Sequence, residues 1–272
     1  MVYLRACIWY ARVRNEGDSL AFIIAITNQK GGVGKTTTAI NLGAQLATRM
    51  RRVVLVDLDP QANSTSSLGL DKNALTTTLY DVLLGQADAA DIVMPTKTEN
   101  LFVLPASPTL AQAEIQLVGR PNREGRLKEV LKNVDAEVVI IDCPPALGLL
   151  TVNALTAANS VIIPVQAEYF ALEGLSQLMQ TMQLVRRSLN PSLHIFGVVL
   201  TMFTKRTVLS EQVKQEVEKH FGEKVFHTVI PRNIRLAEAP SYGKTIFEHD
   251  RWSKGARAYK ALAQEVVKRG NL

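Results

Sequence analysis

The sequence predicts an α/β fold, a doubly wound and mostly parallel β-sheet with helices on both of its faces. Short aliphatic runs recur along the chain, which is typical of buried parallel strands. Segments with helical spacing of apolar residues separate these runs, so we expect crossover helices to join the strands. The 272 residues are 47% hydrophobic, which is enough for a sizeable core. No run approaches the roughly 18 apolar residues that a membrane-spanning helix needs.

The predicted strands are aliphatic runs that end at a turn residue or at aspartate. Runs of this length favour strands over helices, which are normally longer. In chain order the strands are Phe22–Ile26, 53–56, Leu101–Leu104, Val138–Asp142, 161–165, 195–200 and 229–230.

The predicted helices lie between these strands and carry apolar residues at roughly helical spacing. The polar stretch 63–69 is expected to be a mobile loop, and 231–241 a loop after the last strand. The final helix is expected to stop at Gly270, after a basic last turn. The helices are 37–48, opened by Lys35, and then 79–84, 111–118, 126–134, 168–187, 210–221 and 254–268.

Residues 1–20 differ from the rest of the chain, because they mix aromatic residues and arginines without a clear period. They contain no long apolar segment followed by a cleavage site of small residues, so a secretory signal is not expected. We interpret residues 1–20 as a poorly ordered extension, with a short helix that contacts the domain or DNA as the alternative. Residues 21–272 are expected to form one domain.

The composition narrows the function classes without naming one. Lysine and arginine exceed the acidic residues by 31 − 25 = +6, which is compatible with a polyanionic partner. The two cysteines, Cys7 and Cys143, have neither disulfide nor zinc spacing, which indicates a reducing compartment such as the cytoplasm.

A glycine-rich turn after the first strand has the context of a phosphate-binding loop, because a helix follows it directly. Glycines let the backbone N–H groups wrap a phosphate chain, and the helix N-terminus adds a positive dipole. In this pattern Lys35 contacts the β- and γ-phosphates, and Thr36 ligates Mg²⁺. One position departs from it, since Gln29 replaces the first glycine and a second lysine, Lys30, follows. The predicted nucleotide-binding residues are Gly31, Gly32, Val33, Gly34, Lys35, Thr36 and Thr37.

Three aspartates lie at the carboxyl ends of two of the predicted strands. Asp57 and Asp59 are two positions apart, so their side chains should point to one side at the carboxyl end of the strand. Carboxylates beside a triphosphate hold Mg²⁺ or orient an attacking water. We expect Asp142 to hold Mg²⁺ through water, whereas Asp57 and Asp59 could also form a simple turn with a local cap. Cys143 is interpreted as a small strand-end residue, because no histidine lies near it in sequence.

Five motifs occur in order between residues 22 and 270: KGGVGKTT, DLDPQ, IDCPP, EYFALEGL and IPRNIRLAEAPS. Together they resemble the Soj type of chromosome-partitioning ATPase in the ParA/MinD family, whose deviant phosphate loop carries the extra lysine. The resemblance implies a P-loop ATPase that uses ATP and Mg²⁺. It also implies an ATP-bound homodimer that binds double-stranded DNA without sequence preference. A ParB-like partner would release this dimer by stimulating hydrolysis.

The resemblance also implies roles for single residues. Lys30 reaches across the dimer to the partner's nucleotide, and Asp59 positions the attacking water, so the catalytic residues are Lys30, Lys35 and Asp59. Asp57 is a possible member of the metal shell. Pro231 and Asn233 match positions that contact the adenine ring.

Two arginines, Arg206 and Arg235, match residues that Soj-type proteins use to bind DNA. Non-specific DNA binding needs cations that neutralise phosphates and no contacts that read the bases. The resemblance therefore implies a cytoplasmic protein that associates with the nucleoid. Further candidates for the same face, with ordinary solvated charges as the alternative, are Lys205, Lys214, Lys219 and Lys224.

Three other functions make different demands on the sequence. A MinD-type ATPase needs a membrane-binding helix, but the chain ends in EVVKRGNL, where Val266 and Val267 provide too little apolar area for a stable membrane anchor. An electron carrier of the nitrogenase-reductase type needs paired cysteines that bridge a cluster, which Cys7 and Cys143 do not match. A nucleotide-gated scaffold that positions large cargo shares the same site residues and remains an alternative.

Overall fold

The computed structural model describes residues 21–48, 51–168 and 173–272, so the interpretation of residues 1–20 falls outside the described part. Within these ranges one sheet is formed by β1 (Phe22–Ile26), β2 (Val53–Asp57), β3 (Met94–Pro95), β4 (Leu101–Leu104), β5 (Val138–Asp142), β6 (Ser160–Gln166) and β7 (His194–Thr201). The strand order is β3-β4-β2-β5-β1-β6-β7, and every pair is parallel except β3 with β4. The predicted fold class is confirmed, and the predicted bounds of β1, β4 and β5 match the observed ones.

The α-helices of the described residues lie between the strands and after the last one. They are α1 (Lys35–Ala47), α2 (Asn63–Ser67), α3 (Leu79–Leu83), α4 (Ala89–Ile92), α5 (Ala111–Gln116), α6 (Arg126–Leu131), α7 (Leu149–Ala157), α8 (Glu173–Ser188), α9 (Val208–Phe221), α10 (Ile234–Glu238), α11 (Ile246–Asp250) and α12 (Lys254–Gly270). The sequence did not predict β3, α4, α7 or α11. No helix among the described residues is both long and apolar enough to cross a membrane.

The sheet separates two apolar cores. Alternate residues of each strand face opposite sides, so Ile24 and Ile26 enter one core and Ala25 enters the other. Helices α1, α10, α11 and α12 cover the first face, while α3 to α9 cover the second. Because both faces are covered, the central strands are apolar along their whole length, as the sequence pattern predicted.

The stretch 63–69 is not the loop that the sequence predicted, because residues Asn63–Ser67 form α2. Its start is held by the strand ends. The Thr65 amide and hydroxyl both donate to Asp57 Oδ2 at 2.7 Å, and the Ser64 hydroxyl donates to Asp142 Oδ2 at 2.8 Å. These long-range bonds stabilise a helix whose small polar residues give little local preference for one.

Three other predictions at the carboxyl half were wrong. Residues 229–230 form no strand; the Ile230 N–H donates to the Leu200 carbonyl at 2.8 Å, alongside β7. Part of 231–241 is helical, as α10. The last helix includes Gly270, and Asn271 takes the left-handed conformation instead, with φ of 49°. The helix that was predicted from residue 168 is described from Glu173 onward, and Glu168 itself lies in a bend.

Candidate active site

The phosphate loop joins β1 to α1 and is tied to two other strands. Asn28 accepts a hydrogen bond from the Lys30 N–H at 3.0 Å and donates to the Pro164 carbonyl at 2.7 Å. Thr201, at the end of β7, donates to the Val33 carbonyl at 2.8 Å. Gly34 has φ of 86°, in the left-handed region that favours glycine. The loop is therefore held in shape by the carboxyl ends of β6 and β7.

Lys35 is buried at the start of α1, where its side chain folds back over the loop. Its Nζ donates to the Lys30 carbonyl at 3.1 Å. Burial lowers the pKa of Lys35, and the nearby carboxylates of Asp142 and Asp59 oppose that shift. The loop thus encloses the cation predicted to meet the β- and γ-phosphates.

Asp57 and Asp142 lie side by side, because they are register partners on the neighbouring strands β2 and β5. Both are fully buried. Burial raises the pKa of both carboxyl groups, and the charge of Asp57 raises the pKa of Asp142 further. Such a pair favours the approach of a cation, since a cation stabilises the ionised forms.

The two carboxylates differ in their hydrogen bonds. Asp57 Oδ2 accepts from Thr65, and its Oδ1 accepts weakly from the Asp59 N–H at 3.4 Å. Asp142 Oδ2 accepts from Ser64, but Asp142 Oδ1 is buried without a hydrogen-bond partner. An orphaned buried carboxylate oxygen fits a nearby metal-bound water. A direct role of Asp57 in the metal shell stays a prediction. Both of its carboxylate oxygens already accept hydrogen bonds, which indicates that Asp57 stabilises α2.

The metal chemistry of this edge suits Mg²⁺. The described residues contain no cluster of three or more histidine, cysteine, aspartate or glutamate side chains that could cage an ion. Mg²⁺ usually keeps several waters and takes only one or two protein ligands together with substrate phosphates. Thr36 lies beside Asp142, and its proximity lowers the pKa of that carboxyl group. Thr36 and Asp142 are therefore placed together as the sequence predicted.

Asp59 lies next to this pair at the start of the turn that leads to α2. It is mostly buried, and its Oδ1 accepts from the Gln61 N–H at 2.9 Å. This bond leaves the other carboxylate oxygen, Oδ2, available to orient a water. The structure thus brings Lys35, Thr36, Asp59 and Asp142 to one place.

The predicted adenine segment lies at the carboxyl end of β7. Pro231 pairs with Phe203 in an isolated β-bridge, and both Pro231 and Asn233 are half-buried. Asn233 caps α10, because its Oδ1 accepts from the Leu236 N–H at 3.2 Å. The amide group of Asn233 is thereby held in one orientation by the helix that it starts.

Lys30 lies at the exposed rim of the loop in a small ion-pair cluster. Its Nζ is 3.8 Å from Glu168 Oε2, and Arg232 Nη2 is 3.6 Å from Glu168 Oε1. Gln166 also donates to Glu168. Sequence reasoning missed Glu168 as a site residue, although it opens the EYFALEGL motif; it also missed Asn28, Ser64 and Thr65.

The two predicted DNA contacts lie on neighbouring segments, because the Arg232 N–H donates to the Phe203 carbonyl at 3.3 Å. Arg206 is exposed. Arg235 is also exposed, and it pairs with Glu238 at 2.9 Å and with Asp250 at 3.6 Å. Of the four additional lysines, Lys214 approaches Glu218 at 3.9 Å. The fold therefore places both arginines at the same edge as the phosphate loop.

Comparisons with known proteins identify the family. The sequence pattern of the AAA domain family matches residues 21–195. The chain is 58% identical over 250 residues to the sporulation initiation inhibitor protein Soj of Bacillus subtilis, covering 91% of this chain and 99% of that protein. The chain belongs to the ParA/Soj family of chromosome-partitioning ATPases. It is also 50% identical to the ParA chromosome partitioning protein of Myxococcus xanthus, over 97% of this chain and 94% of that one.

Solved structures confirm the P-loop fold of this ParA/Soj-family ATPase. A Mycobacterium smegmatis protein, described as cobyrinic acid a,c-diamide synthase with bound ADP and magnesium, matches with a TM-score of 0.82 and 39% identity. That match covers 92% of this chain and 96% of the other. The septum site-determining protein MinD of Pyrococcus horikoshii, complexed with Mg-ADP, matches with a TM-score of 0.73 and 28% identity, over 92% and 97%.

Proposed function

We propose that this ATPase hydrolyses Mg-ATP in order to partition DNA as a nucleotide-dependent dimer. One observation carries the chemical part: the phosphate loop, the buried Lys35 and the unpartnered Asp142 Oδ1 meet at one edge of the sheet. The family relationship and the bound nucleotides and magnesium of its structural neighbours support ATP and Mg²⁺ as cofactors. The family relationship supports chromosome partitioning as the process.

Each residue of the site has one task in this reaction. The loop N–H groups bind the phosphates, and Lys35 neutralises charge on the β- and γ-phosphates. Thr36 and, through water, Asp142 would hold Mg²⁺, which would supply further positive charge to the phosphates. Asp59 orients a water whose oxygen attacks the γ-phosphorus. The bond from that phosphorus to the bridging oxygen breaks, and the products are ADP and phosphate.

Lys30 acts across a homodimer interface in this proposal. Its side chain is 36% exposed, and its bond to Glu168 is a long surface ion pair of 3.8 Å. Such pairs contribute only about 0–1 kcal/mol, so exchanging Glu168 for a partner's phosphate costs little. The ATP-bound dimer then presents Arg206 and Arg235 to the phosphates of double-stranded DNA, and a ParB-like protein ends this state by stimulating hydrolysis. The protein is thus cytoplasmic and associated with the nucleoid.

DNA co-sedimentation tests this proposal. We expect wild-type protein to sediment with DNA in the presence of ATP, and much less with ADP or without nucleotide. Light scattering on the hydrolysis-deficient Asp59→Ala variant with ATP should report a dimer. Equal sedimentation in all three nucleotide conditions, or an ATP-saturated monomer, would contradict the proposal.

The Arg235→Glu variant assigns the DNA surface. We expect weaker binding to every DNA sequence and a flatter salt dependence, because a phosphate contact carries no sequence information. The matched control is Lys128→Glu on α6, which also reverses one exposed charge but lies on the opposite face of the sheet. Binding isotherms that coincide with those of the control would remove Arg235 from the DNA surface.

A further inference from the structure

A row of exposed cations lies on the outer face of α12 and on the turn before this helix. Most of these residues are three positions apart. The last two are eight positions apart, and Gln264 lies midway between them, so the cations form one stripe along the helix. None of them makes an ion pair with a residue of the described ranges. We define this set as the α12 stripe, and its members are Arg251, Lys254, Arg257, Lys260 and Lys268.

The α12 stripe is not neutralised by its own helix. The only acid on α12 is Glu265, which is already engaged elsewhere. Its Oε1 accepts from the His227 N–H at 2.9 Å and from Arg269 at 2.8 Å, and its Oε2 accepts from the Thr228 N–H at 3.1 Å. Other exposed cations, such as Arg232 and Arg235, do have carboxylate partners. The stripe is therefore a concentrated positive surface.

The position of α12 makes the stripe continuous with the predicted DNA contact at Arg235. Near the start of α12, Gly255 packs against Leu236 of α10, and Asp250 pairs with Arg235 at 3.6 Å. At its end, Arg269 donates to the Val225 carbonyl at 2.8 Å and lies 4.3 Å from the centre of the Phe226 ring. The stripe thus begins beside Arg235 and runs along the domain away from it.

We propose that the α12 stripe binds the sugar–phosphate backbone of double-stranded DNA and extends the surface that starts at Arg235. This inference rests on the DNA binding proposed above. From Lys254 to Lys268 the stripe spans about 21 Å at the helical rise per residue. Duplex DNA carries one negative charge per about 1.7 Å of its axis, so several phosphates lie within reach. Contacts of this kind hold DNA without reading its sequence.

A duplex fits this surface better than an anionic membrane does. A helix that lies in a membrane must insert an apolar face among the lipids. The apolar face of α12 is already buried against the sheet, with Tyr259, Leu262 and Val266 at most 1% exposed. Trp252 is 80% exposed beside Arg251, but it lies before α12 and leaves the apolar face of the helix buried. A rigid row of cations with its apolar side occupied matches a polyanion in water.

The salt dependence of DNA binding tests the stripe. In the triple variant Lys254→Gln, Arg257→Gln and Lys260→Gln, the slope of log K against log salt should lose about 2.7 units of magnitude, because each contacted phosphate contributes about 0.9. The matched control removes two lysines and one arginine from the opposite face, through Lys128→Gln, Lys132→Gln and Arg187→Gln, and should keep the wild-type slope.

The outcomes separate the stripe from the proposed function. If wild-type protein binds DNA with ATP and the stripe variant has the same slope as the control, the stripe inference is wrong and the proposed function stands. If wild-type protein binds no DNA in any nucleotide state, both are wrong. Binding to vesicles that contain phosphatidylglycerol tests the membrane alternative. If the stripe variant loses vesicle binding while its DNA binding is unchanged, the inference is also overturned.

The fluorescence of Trp252 gives a second measurement that leaves the stripe intact. The chain has two tryptophans, so Trp9→Phe makes Trp252 the only indole. We expect DNA, added with ATP, to change the emission of Trp252 and to reduce its quenching by acrylamide. Unchanged emission and quenching, when sedimentation shows that the protein is bound, would overturn the inference at the Arg251 end of the stripe.

Discussion

Two groups of charged residues lie at the same edge of the sheet, and they are built in opposite ways. The inner group, Lys35, Asp57 and Asp142, is buried, and its carboxylates accept hydrogen bonds of 2.7 and 2.8 Å. The outer group consists of Lys30 and Arg232 with Glu168 between them. It faces solvent, and its ion pairs with Glu168 are longer, at 3.8 Å for Lys30 and 3.6 Å for Arg232. A buried charge is costly without a partner, whereas an exposed charge can change partners at little cost.

This difference matches what each group must do. In the proposed reaction, the inner group has to keep phosphate and Mg²⁺ in one geometry, which favours fixed side chains with long-range hydrogen bonds. In the proposed dimer, the outer group has to change partners when a second subunit arrives, which favours weak, solvated pairs. Mutations in the two groups should therefore have very different effects on the protein.

The largest effect is expected from Lys35→Ala in the inner group. ATP binding should fall below detection, because the β- and γ-phosphates lose the buried cation that neutralises them. Isothermal titration with ATP measures this effect. Lys72→Ala is the matched control, since Lys72 also donates to a backbone carbonyl, that of Gln61 at 2.6 Å, but this hydrogen bond is exposed to solvent. Nucleotide affinity near the wild-type value in Lys35→Ala would contradict the role of Lys35.

Asp59→Ala is expected to have the next largest effect and to separate binding from chemistry. The hydrolysis rate should fall by about 10²- to 10⁴-fold, the usual contribution of a group that positions or activates the nucleophile. ATP binding should persist, and the ATP-bound dimer should accumulate. Phosphate release and light scattering measure the two results, with Asp71→Ala as an exposed control. A variant with normal turnover would rule out the assignment.

Thr65→Val tests whether the inner group depends on its hydrogen bonds. The substitution keeps the shape of the side chain but removes a donor to Asp57 and an acceptor for the Ala106 N–H at 3.0 Å. The free energy of unfolding should fall by about 1–3 kcal/mol, because buried polar groups are left unsatisfied. Urea unfolding measures this change. Thr48→Val, at an exposed helix end, should change stability by less than about 0.5 kcal/mol.

Glu168→Gln should give the smallest effect and completes the comparison. The free energy of unfolding should change by less than about 1 kcal/mol, since the Glu168 side chain forms surface ion pairs with Lys30 and Arg232 and a hydrogen bond with Gln166 that a glutamine can also accept. The same urea titration applies. A loss as large as that of Thr65→Val would show that the outer group is as rigid as the inner one, and the contrast between them would fail.

Much of the fold could be predicted from the sequence, because strands buried on both faces leave a local aliphatic signature. The bounds of β1, β4 and β5 follow directly from such runs. The errors occurred where the local signal was weak. Residues of α2 are small and polar, and only bonds to Asp57 and Asp142, on β2 and β5, make them helical. Ile230 forms backbone hydrogen bonds with Leu200 and Phe203, but residues 229–230 form no strand.

The sequence by itself determined the phosphate loop and the positions of Lys35, Thr36 and the three aspartates. These are set by spacing within one strand–loop–helix unit or at strand ends, and such spacing is local. Only the tertiary structure decided which groups meet across the chain. The contact of Glu168 with Lys30 and Arg232, and the place of the α12 stripe beside Arg235, depend on how distant helices and strands pack. Packing sums many weak contacts between residues far apart in sequence, which no local pattern records.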